Sequence, residues 1–325
     1  MSLLGGTQVN VGVGIEITPG TAVAATHFLQ WTDLSIQGIA EKELFNAQRG
    51  VRNMASNSII KRKYSEGSVS MVPNVNDAAV IFYLALGSKS SSGVVDSAYT
   101  HTFTVQNANG SMKTATFIVE DGTVVVERYA GCVVESWNME VSDSYANLTA
   151  SIRGGFPTSS TLTESFSQET NFTYSDMTVK FGTSLAAAAS ASATPLKSLT
   201  LNYNNNIQAD EAFLSGSNEP VAGKFAGGRV EVTGNYTLHF EDTTELAKYK
   251  ANTKNACIIQ FLGALIGATS KETITIKLGR LVLTDAPKQY NLDGIVVLQQ
   301  GFTVEYEATD KEIQIEVIND TATYA

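Results

Sequence analysis

Two stretches of the chain, GSVSMVPNVND at residues 67–77 and GNYTLHFEDTTE at residues 234–245, follow the same pattern. Each begins with alternating polar and apolar residues, which is typical of a β-strand with one buried face. Each then places Asn74 or Asp242 three residues before Asp77 or Glu245, a spacing that caps the first turn of a helix. Both stretches are therefore predicted to form a strand followed directly by a short helix.

The chain is interpreted as an internal duplication. Asn74 and Asp242 are 168 residues apart. Four further pairs are 167 residues apart: Leu34 with Leu201, Ile36 with Tyr203, Arg62 with Arg229 and Gly67 with Gly234. A near-constant offset over several elements is the mark of a repeated unit. We therefore predict two domains, residues 1–170 and 171–325, which are called the first half and the second half below.

Composition and charge exclude several classes of protein. At 325 residues with 43% hydrophobic content, the chain is long enough for two folded domains. Its net charge of −10 disfavours tight nucleic-acid binding, which depends on clustered Lys and Arg. The two cysteines, Cys132 and Cys257, occupy unrelated places in the two halves, so we expect free thiols in a reducing compartment. The start lacks a signal-peptide pattern and the apolar stretches fall short of the ~18 residues of a membrane span, so folding in a cytoplasm is expected.

Each half is predicted to repeat one series: a strand, a small-residue loop, a strand, a long segment, a strand and the capped helix. The corresponding ranges are 9–15 and 177–181, 19–26 and 186–195, 28–36 and 196–203, 41–58 and 204–227, 59–72 and 229–240, and 75–86 and 243–250. A short helix is the alternative for the Ala/Ser tract in 186–195. The long segments lack alternation, and we expect them to form extended arms. One helix per half, the first well buried and the second with a thinner apolar stripe, indicates an α+β sandwich.

A β-hairpin is predicted to close each half, at residues 133–152 and 302–317, because apolar residues alternate on both sides of a polar turn. The polar faces of these hairpins hold the residues Ser136, Asn138, Glu140, Thr303, Glu305, Glu307, Glu312 and Glu316. The glutamates fit either a metal or acid–base site or a solvated surface. We favour the solvated surface, because imidazole ligands are missing nearby and like charges that face each other destabilise a sheet.

Motifs for catalysis or cofactor binding are missing. The three histidines, His27, His101 and His239, have no ligand partner at metal-site spacing. GVGIEI at residues 12–17 lacks the third glycine and the helix of a dinucleotide site, and Gly223-Lys224 lacks the upstream glycine of a phosphate loop. A serine elbow and a Cys–His pair are also missing. We therefore predict a protein that is not an enzyme and requires no cofactor or metal.

One basic run, Lys61-Arg62-Lys63, follows Arg49 and Arg52 of the first long segment. It is interpreted either as a charged strand edge that prevents aggregation or as a docking surface for an acidic patch on a neighbouring copy. The sequence favours neither interpretation. The candidates for contacts between copies are Arg49, Arg52, Lys61, Arg62, Lys63, Phe213 and Lys224.

The first half carries a particular order of motifs. They are GTAVAAT at 20–26, FLQWTDL at 28–34, GSVSM at 67–71, YLALG at 83–87, YTHTF at 99–103 and YAGCVVES at 129–136. This order resembles the tail tube (major tail) proteins of long-tailed bacteriophages, and the second half follows through the duplication. The resemblance implies a mainly β (α+β) fold, with two tandem β-sandwich domains of tail-tube type. Each domain would carry one short flanking helix and a long arm.

The resemblance also implies a function and partners. Subunits would join their sheets into rings around a lumen, the arms would link stacked rings, and genomic DNA would pass through without specific binding. Members with two domains look like trimers with pseudo-sixfold symmetry, which we favour over hexamers. The tube would form around a tape-measure protein in the host cytoplasm, and tail-tip or baseplate and tail-terminator proteins would bind its ends in the virion tail. The polar-face residues named above become candidates for the lumen, where an acidic or neutral wall would not retain phosphate.

Two other classes of protein remain open. One is a receptor-binding or decoration protein of a virion or cell surface, which the loops disfavour because they are poor in the aromatic residues of recognition surfaces. The other is a glycoside hydrolase, which needs two carboxylates with separated pKa values. Electron microscopy of the purified protein would separate these classes from a tube subunit.

Overall fold

The computed structural model describes residues 5–45, 57–107, 112–122, 124–166, 170–208, 225–290, 292 and 294–324, which form a mainly antiparallel β-structure. The first-half strands are β1 Val9–Ile15, β2 His27–Phe28, β3 Trp31–Leu34, β4 Gln37–Phe45, β5 Asn57–Met71, β6 Gly87–Val95, β7 Ala98–Val105, β8 Ala115–Asp121, β9 Val125–Val141, β10 Asn147–Gly154 and β11 Thr158–Ser159. The second-half strands are β12 Met177–Gly182, β13 Ser198–Asn204, β14 Glu231–His239, β15 Asn255–Leu265, β16 Lys271–Leu283, β17 Lys288–Gln289, β18 Val297–Val304 and β19 Ile313–Asn319. The helices are α1 Val75–Leu86, α2 Leu185–Ser190 and α3 Thr244–Lys250.

One sheet runs through both halves and is called the joined sheet. Its antiparallel order is β3 and β4, then β5, β10, β9, β13, β14, β18 and β17. One row of directly paired residues crosses it: Met71, Leu148, Met139, Leu201, Gly234 and Phe302. The side chains of this row are buried, glycine apart, so this side of the sheet faces the core.

The remaining strands form a back layer across the core. In the first half the order is β2, β1, β8, β9 and β11, and in the second half it is β12, β15, β16, β19, β7 and β6. The long strands β9 and β16 belong to both layers, since their N-terminal parts pair in the back layer and their C-terminal parts pair beside β10 and β18. Phe181 of β12 contacts Tyr236 of β14 across the core, with 5.1 Å between ring centroids. The predicted β-sandwich class is confirmed.

Strand pairing repeats between the halves. Ile152 lies between Gly67 and Val134, as Phe302 lies between Gly234 and Leu283. The sequence offset is wrong for β3, however. Leu34 pairs with Val69 and Leu199 pairs with Tyr236, so the structure makes Leu34 equivalent to Leu199 and not to Leu201. A shift of two residues keeps the same side of a strand inward, so periodicity alone does not detect it. The domain limits at residues 170 and 171 stay a prediction.

Helix α1 lies at the centre of the molecule. Asn74 accepts hydrogen bonds from the backbone N–H groups of Asn76 and Asp77, at 3.0 and 2.8 Å, and Gly87 ends the helix with φ of 84°. Nearly every residue of α1 is buried, which fits a helix that is apolar all round. It packs on β9 of the joined sheet and on β7 and β19 of the back layer. The predicted bounds of 75–86 are confirmed.

The other two helices differ from α1. Helix α3 has no buried residue, in agreement with the thinner apolar stripe predicted for it. Helix α2 corrects the preferred interpretation of the Ala/Ser tract as a loop, because residues 185–190 are helical. The Ser184 hydroxyl caps this helix by accepting a bond from Ala187 N at 3.3 Å, and alanine is the best helix former. Only the remainder of the tract is irregular.

The two predicted closing hairpins have different outcomes. The first is confirmed, since β9 and β10 pair directly on either side of the predicted turn. The second is wrong, because β18 and β19 each pair with a different part of β16, at residues 281–283 and 273–278. Gly279 lies between these two parts, where a Cβ atom would come within 2.0 Å of the Lys311 carbonyl oxygen. Each of the two strands alternates as predicted, but β16 lies between β18 and β19, so they do not form a hairpin.

The first long segment is a β-hairpin in its described part. β4 pairs with β5 from Gln37 opposite Glu66 to Phe45 opposite Asn57, and residues 46–56 lie outside the described residues. These strands are exposed on both sides toward the tip, so their sequence lacks the alternation that marks a half-buried strand. In the second segment, Gln208 and Ala226 form an isolated bridge, and residues 209–224 lie outside the described residues.

The segment at residues 319–324 folds back onto the first half and is called the tail strap. The buried Tyr324 ring lies between His27 and His101, at centroid distances of 5.2 and 5.0 Å. His101 is fully buried, and its Nε2 donates to the Thr321 carbonyl oxygen at 2.8 Å while Nδ1 lies 2.8 Å from Ser91 Oγ. Lys89 Nζ donates to the Tyr324 carbonyl oxygen. Burial lowers the pKa of both His27 and His101, and the nearby Lys89 adds to this at His101.

Removal of the side-chain cap of α1 should destabilise the folded protein. Asn74→Ala removes both cap bonds and the donor that Asp77 Oδ2 accepts from at 2.8 Å, in a fully buried position. We expect a loss of about 2 kcal/mol in the free energy of unfolding, measured by chemical denaturation. The matched control is Thr243→Ala before α3, where the Thr243 side chain makes no cap bond, with an expected change below about 0.5 kcal/mol. Equal effects of the two substitutions would show that the cap bonds are unimportant.

The tail strap predicts a loss of stability in mild acid. The folded state holds the two histidine pKa values below the ordinary ~6.5, so the unfolded chain binds more protons and stability falls as the pH drops below that value. His101→Gln keeps a donor for Thr321 and removes one titrating group, so its denaturation midpoint should change less between pH 7 and pH 5. The control is His239→Gln, at an exposed histidine. If His101→Gln does not fold, His27→Gln carries the same test, and a wild-type pH profile in both variants contradicts it.

Candidate functional site

The two halves meet at the pairing of residues 136–141 of β9 with residues 199–204 of β13, which is called the joint. On its core side the rings of Trp137 and Tyr203 stack, with 5.6 Å between centroids and 9° between planes. On its other side Asn138 Nδ2 donates to Asn202 Oδ1 at 2.6 Å. The joint therefore has an apolar contact on one face and an amide hydrogen bond on the other.

Helix α1 and the joint are connected by one buried amide. Asn205 Nδ2 donates to the carbonyl oxygens of Ala85 and Val134, at 2.9 and 3.0 Å. The Tyr203 hydroxyl lies 2.9 Å from Asn205 Oδ1, and burial raises the pKa of this tyrosine well above its usual range. Buried polar groups that satisfy one another in this way specify a single arrangement. The position of the second half relative to α1 is thus determined by hydrogen bonds as well as by packing.

The side of the joined sheet that faces away from the core is called the open face. Three rows of paired residues cross it, and successive rows are two residues apart on each strand. They are Ser70, Thr149, Asn138, Asn202, Thr233 and Thr303; then Asn147, Glu140, Thr200, Asn235 and Gly301; then Ser68, Ser151, Ser136, Asn204 and Glu231. Hydroxyl and amide groups dominate all three rows. Ser70 Oγ and Thr149 Oγ1, for example, lie 2.9 Å apart.

The three central rows of the open face are nearly uncharged, and the next row carries the ion pair of Arg153 with Glu66, at 3.3 Å. In its three rows only Glu140 and Glu231 carry charge, one near each end of the strands. The chain contains 32 Asp and Glu residues, so most of its acidic residues lie outside these rows. A face of this composition presents hydrogen-bonding groups to water and offers no cluster of cations to phosphate. The expectation of glutamates spread over one continuous face is not met by this sheet.

The predicted polar-face residues divide into two groups. Ser136, Asn138, Glu140 and Thr303 lie on the open face. The others lie at or beyond the ends of strands or in the back layer: Glu305, Glu307, Glu312 and Glu316. Glu316 pairs with Thr275 of β16 and Thr102 of β7, so the prediction that it shares a face with Thr303 is wrong. The error follows from the hairpin that does not form.

These four glutamates mostly have partners in the same chain. Glu305 lies 2.6 Å from Lys254 Nζ and 3.3 Å from Arg280 Nε, and the hydrogen bond from Lys254 lowers its pKa. Glu316 lies 2.5 Å from Lys277 Nζ. Glu307 accepts from the backbone N–H groups of its own turn, chiefly that of Asp310, and this lowers its pKa. Glu305 and Glu316 thus pair with neighbouring cations, and Glu307 stabilises its own turn.

The basic run lies on β5 near the base of the β4–β5 hairpin. Arg62 makes an ion pair with Glu41 across the hairpin at 2.9 Å, and its hydrogen bond lowers the pKa of Glu41. Lys63 Nζ lies 5.2 Å from the centroid of the Phe156 ring. Lys61 is exposed. The other four candidates for contacts between copies lie outside the described residues: Arg49, Arg52, Phe213 and Lys224. Their role stays a prediction.

The described part of the chain offers no metal site and no reactive thiol. It contains no group of three or more His, Cys, Asp or Glu side chains that could hold a metal ion. Both cysteines are buried free thiols, and burial raises their pKa, to about 12 for Cys132. None of the helices within the described ranges is long and apolar enough to cross a membrane.

The geometry defines a mainly β protein built around one extended sheet with a polar face. A comparison with protein families agrees: a model of the phage tail tube protein family matches residues 6–308. The chain belongs to the phage tail tube protein family. It is a structural subunit of the tail tube and a component of the virion tail, and it is not an enzyme. No curated protein matches the chain.

The joint is the feature that sequence reasoning missed. β9 and β13 were each predicted as strands, but their pairing connects residues about 60 positions apart and leaves no local pattern. One signal existed: Trp137 and Tyr203 are both large aromatic residues on the apolar side of their strands. Aromatic pairs are frequent across neighbouring strands, so this pair was a possible marker of the contact.

Proposed function

We propose that copies of this chain form closed rings that stack into a tube, and that genomic DNA passes through the tube to the host. The observation that supports this most is the joint, which already joins two sandwiches edge to edge in one continuous sheet. Repeating such joints between chains would curve the sheet into a barrel and remove its exposed edges. Because each chain supplies two repeats, we favour a trimeric ring with pseudo-sixfold symmetry over a hexamer.

In this proposal the open face lines the lumen. Ser136, Asn138, Glu140 and Thr303 are then lumen residues, while Glu316 is assigned to the back layer and excluded. A wall of hydroxyl and amide groups lets a duplex slide, because binding to phosphate requires cations that displace counterions. The wall therefore avoids retention mainly by lacking positive charge, with only a small contribution from repulsion.

The β4–β5 hairpin is the proposed contact between stacked rings. Its outer part exposes Leu44, Phe45, Ile59 and Ile60, at 57, 62, 59 and 39% of their surface. Apolar side chains gathered at the end of a projecting hairpin are typical of a surface that another subunit covers. The run Lys61-Arg62-Lys63 at its base would meet acidic groups of the next ring.

The remaining proposed partners are proteins that would contact the lumen or the ends of the tube. A tape-measure protein would occupy the lumen while the tube forms in the host cytoplasm. A tail-tip or baseplate protein and a terminator protein would bind the two ends. Receptor binding or decoration is the alternative function, and it requires a surface that recognises a partner of another kind.

Electron microscopy of the purified protein at rising concentration tests the proposal. Rings or tubes should appear, because other copies can pair with the free edges of the joined sheet and cover the exposed apolar residues of the β4–β5 hairpin. A class average viewed down the axis should show three copies and six similar lobes around a hollow centre. Monodisperse monomers at every concentration would favour the receptor-binding or decoration alternative.

Added positive charge on the open face should impair DNA passage. The double variant Thr200→Lys and Asn235→Lys places two cations side by side on paired positions of this face. Phage carrying it should form normal tails but eject DNA more slowly or less completely, because the lysines bind phosphate. The control is Ser90→Lys with Ser92→Lys on the exposed strand β6 of the back layer. If only the control variant impairs ejection, the lumen is lined by the back layer and not by the open face.

A further inference from the structure

We propose that the seam between neighbouring chains repeats the register of the joint, with residues 285–290 of one copy antiparallel to residues 34–39 of the next. This inference rests on the proposed ring. It starts from the two ends of the joined sheet, which are free in the chain as described. Within the described residues, β3 and β4 pair only with β5, and β17 pairs only with β18.

The internal repeat shows which residues occupy equivalent positions at these ends. Met139 pairs with Leu148 as Lys288 pairs with Leu298, so the segment 285–290 precedes β18 and lies beside it as residues 136–141 of β9 precede β10 and lie beside it. Gln37 pairs with Glu66 as Asn202 pairs with Thr233, so the segment 34–39 precedes β5 as β13 precedes β14. The segment 285–290 at the edge of the second half and the segment 34–39 at the edge of the first half therefore correspond to the two sides of the joint.

The register of the joint can be transferred directly. Glu140 lies opposite Thr200 in the joint, and their equivalents are Gln289 and Ser35. Val141 lies opposite Leu199, and their equivalents are Tyr290 and Leu34. The seam therefore places Gln289 opposite Ser35 of the next copy on the open face, and Tyr290 opposite Leu34 of the next copy on the core side.

Exposure at the free end supports this assignment. Val141 is only 2% exposed in the joint, whereas its equivalent Tyr290 is 76% exposed. Leu292 and Ile295, in the loop that follows, are 99 and 72% exposed. Large apolar side chains gathered at one sheet edge are typical of a surface that binds another protein. A second copy is the occupant that fits, because it carries the missing strand of the repeat.

Pro287 does not prevent this pairing. Its carbonyl oxygen accepts a bond from Gln299 N at 3.1 Å, so the main-chain groups of residue 287 point toward β18. Because proline has no N–H, residue 287 cannot donate to β18. The hydrogen-bond ladder between this segment and β18 is interrupted there. Asp285 Oδ1 compensates there by accepting from Gly301 N at 2.6 Å. The groups of the neighbouring residues on the outer edge remain available for a new strand.

The seam should be weaker than the joint. The equivalents of Trp137 and Tyr203 are Ala286 and Gly38, so the stacked ring pair is absent. A Cβ atom at Gly38 would lie 2.5 Å from Pro157 Cδ, so the same chain already fills this position. The two halves of one chain are thus held together more firmly than two chains are, which allows rings to assemble from stable two-sandwich subunits.

Cysteine pairs in assembled tubes test the register. Gln289→Cys with Ser35→Cys should link neighbouring chains by disulfides under mild oxidation, since directly opposite residues have Cα atoms within the ~4.4–6.8 Å that a disulfide spans. Gln289→Cys with Asp33→Cys shifts one partner by two residues on the same face, a displacement of ~6.6 Å, and should not link. Glu140→Cys with Thr200→Cys in the joint is the internal control and should link within one chain.

The outcomes separate the seam from the proposed function. Covalent oligomers from the 289/35 pair, seen on non-reducing gels and absent from the 289/33 pair, support the seam. If tubes form and the joint control links but the 289/35 pair does not, the seam is wrong and the tube stands. Linkage of the 289/33 pair instead overturns the register. If neither rings nor tubes form for the unmodified chain, the seam and the proposed function fall together.

Discussion

The pairing of β9 with β13 is the contact on which the rest of this molecule depends. It turns two sandwiches into one structure with a single sheet, and it orients the second half against α1 through Asn205. An aromatic pair such as Trp137 and Tyr203 contributes about 0.5–1.5 kcal/mol beyond the area it buries. Without this pairing, β9 and β13 would each present an unpaired edge, which is a site for aggregation.

The joint also explains why charge is distributed as it is. A strand in the middle of a sheet has neighbours on both sides, so like charges on adjacent strands would repel along every row of the open face. Serine, threonine and asparagine avoid this repulsion, and they can hydrogen-bond across strands as Asn138 and Asn202 do. Glutamates are instead placed where a cation is close, as Glu316 is beside Lys277. A neutral face is thus a consequence of sheet stability, and it agrees with the passage of DNA that we propose.

Much of the fold could be predicted from local patterns, and the rest could not for a physical reason. The bounds of α1 follow from a capping asparagine, an apolar run and a terminal glycine, all within the helix or next to it. The first hairpin follows from alternation across a short turn. β18 and β19 alternate just as well, yet β16 separates them, because alternation specifies which side of a strand is buried and not which strand lies beside it. For the same reason, alternation does not predict the joint, and it does not distinguish Leu199 from Leu201 as the equivalent of Leu34.

The two halves of the chain are not equal, and the helices show how they differ. Helix α1 is buried because β7, β19 and the tail strap cover it from the back layer, and β19 and the strap come from the second half. Helix α3 has no buried residue. The first half therefore depends on the second half, because β19 and the tail strap of the second half cover its helix. In a ring of such chains, contacts within a chain and between chains alternate in strength, so sixfold symmetry can only be approximate.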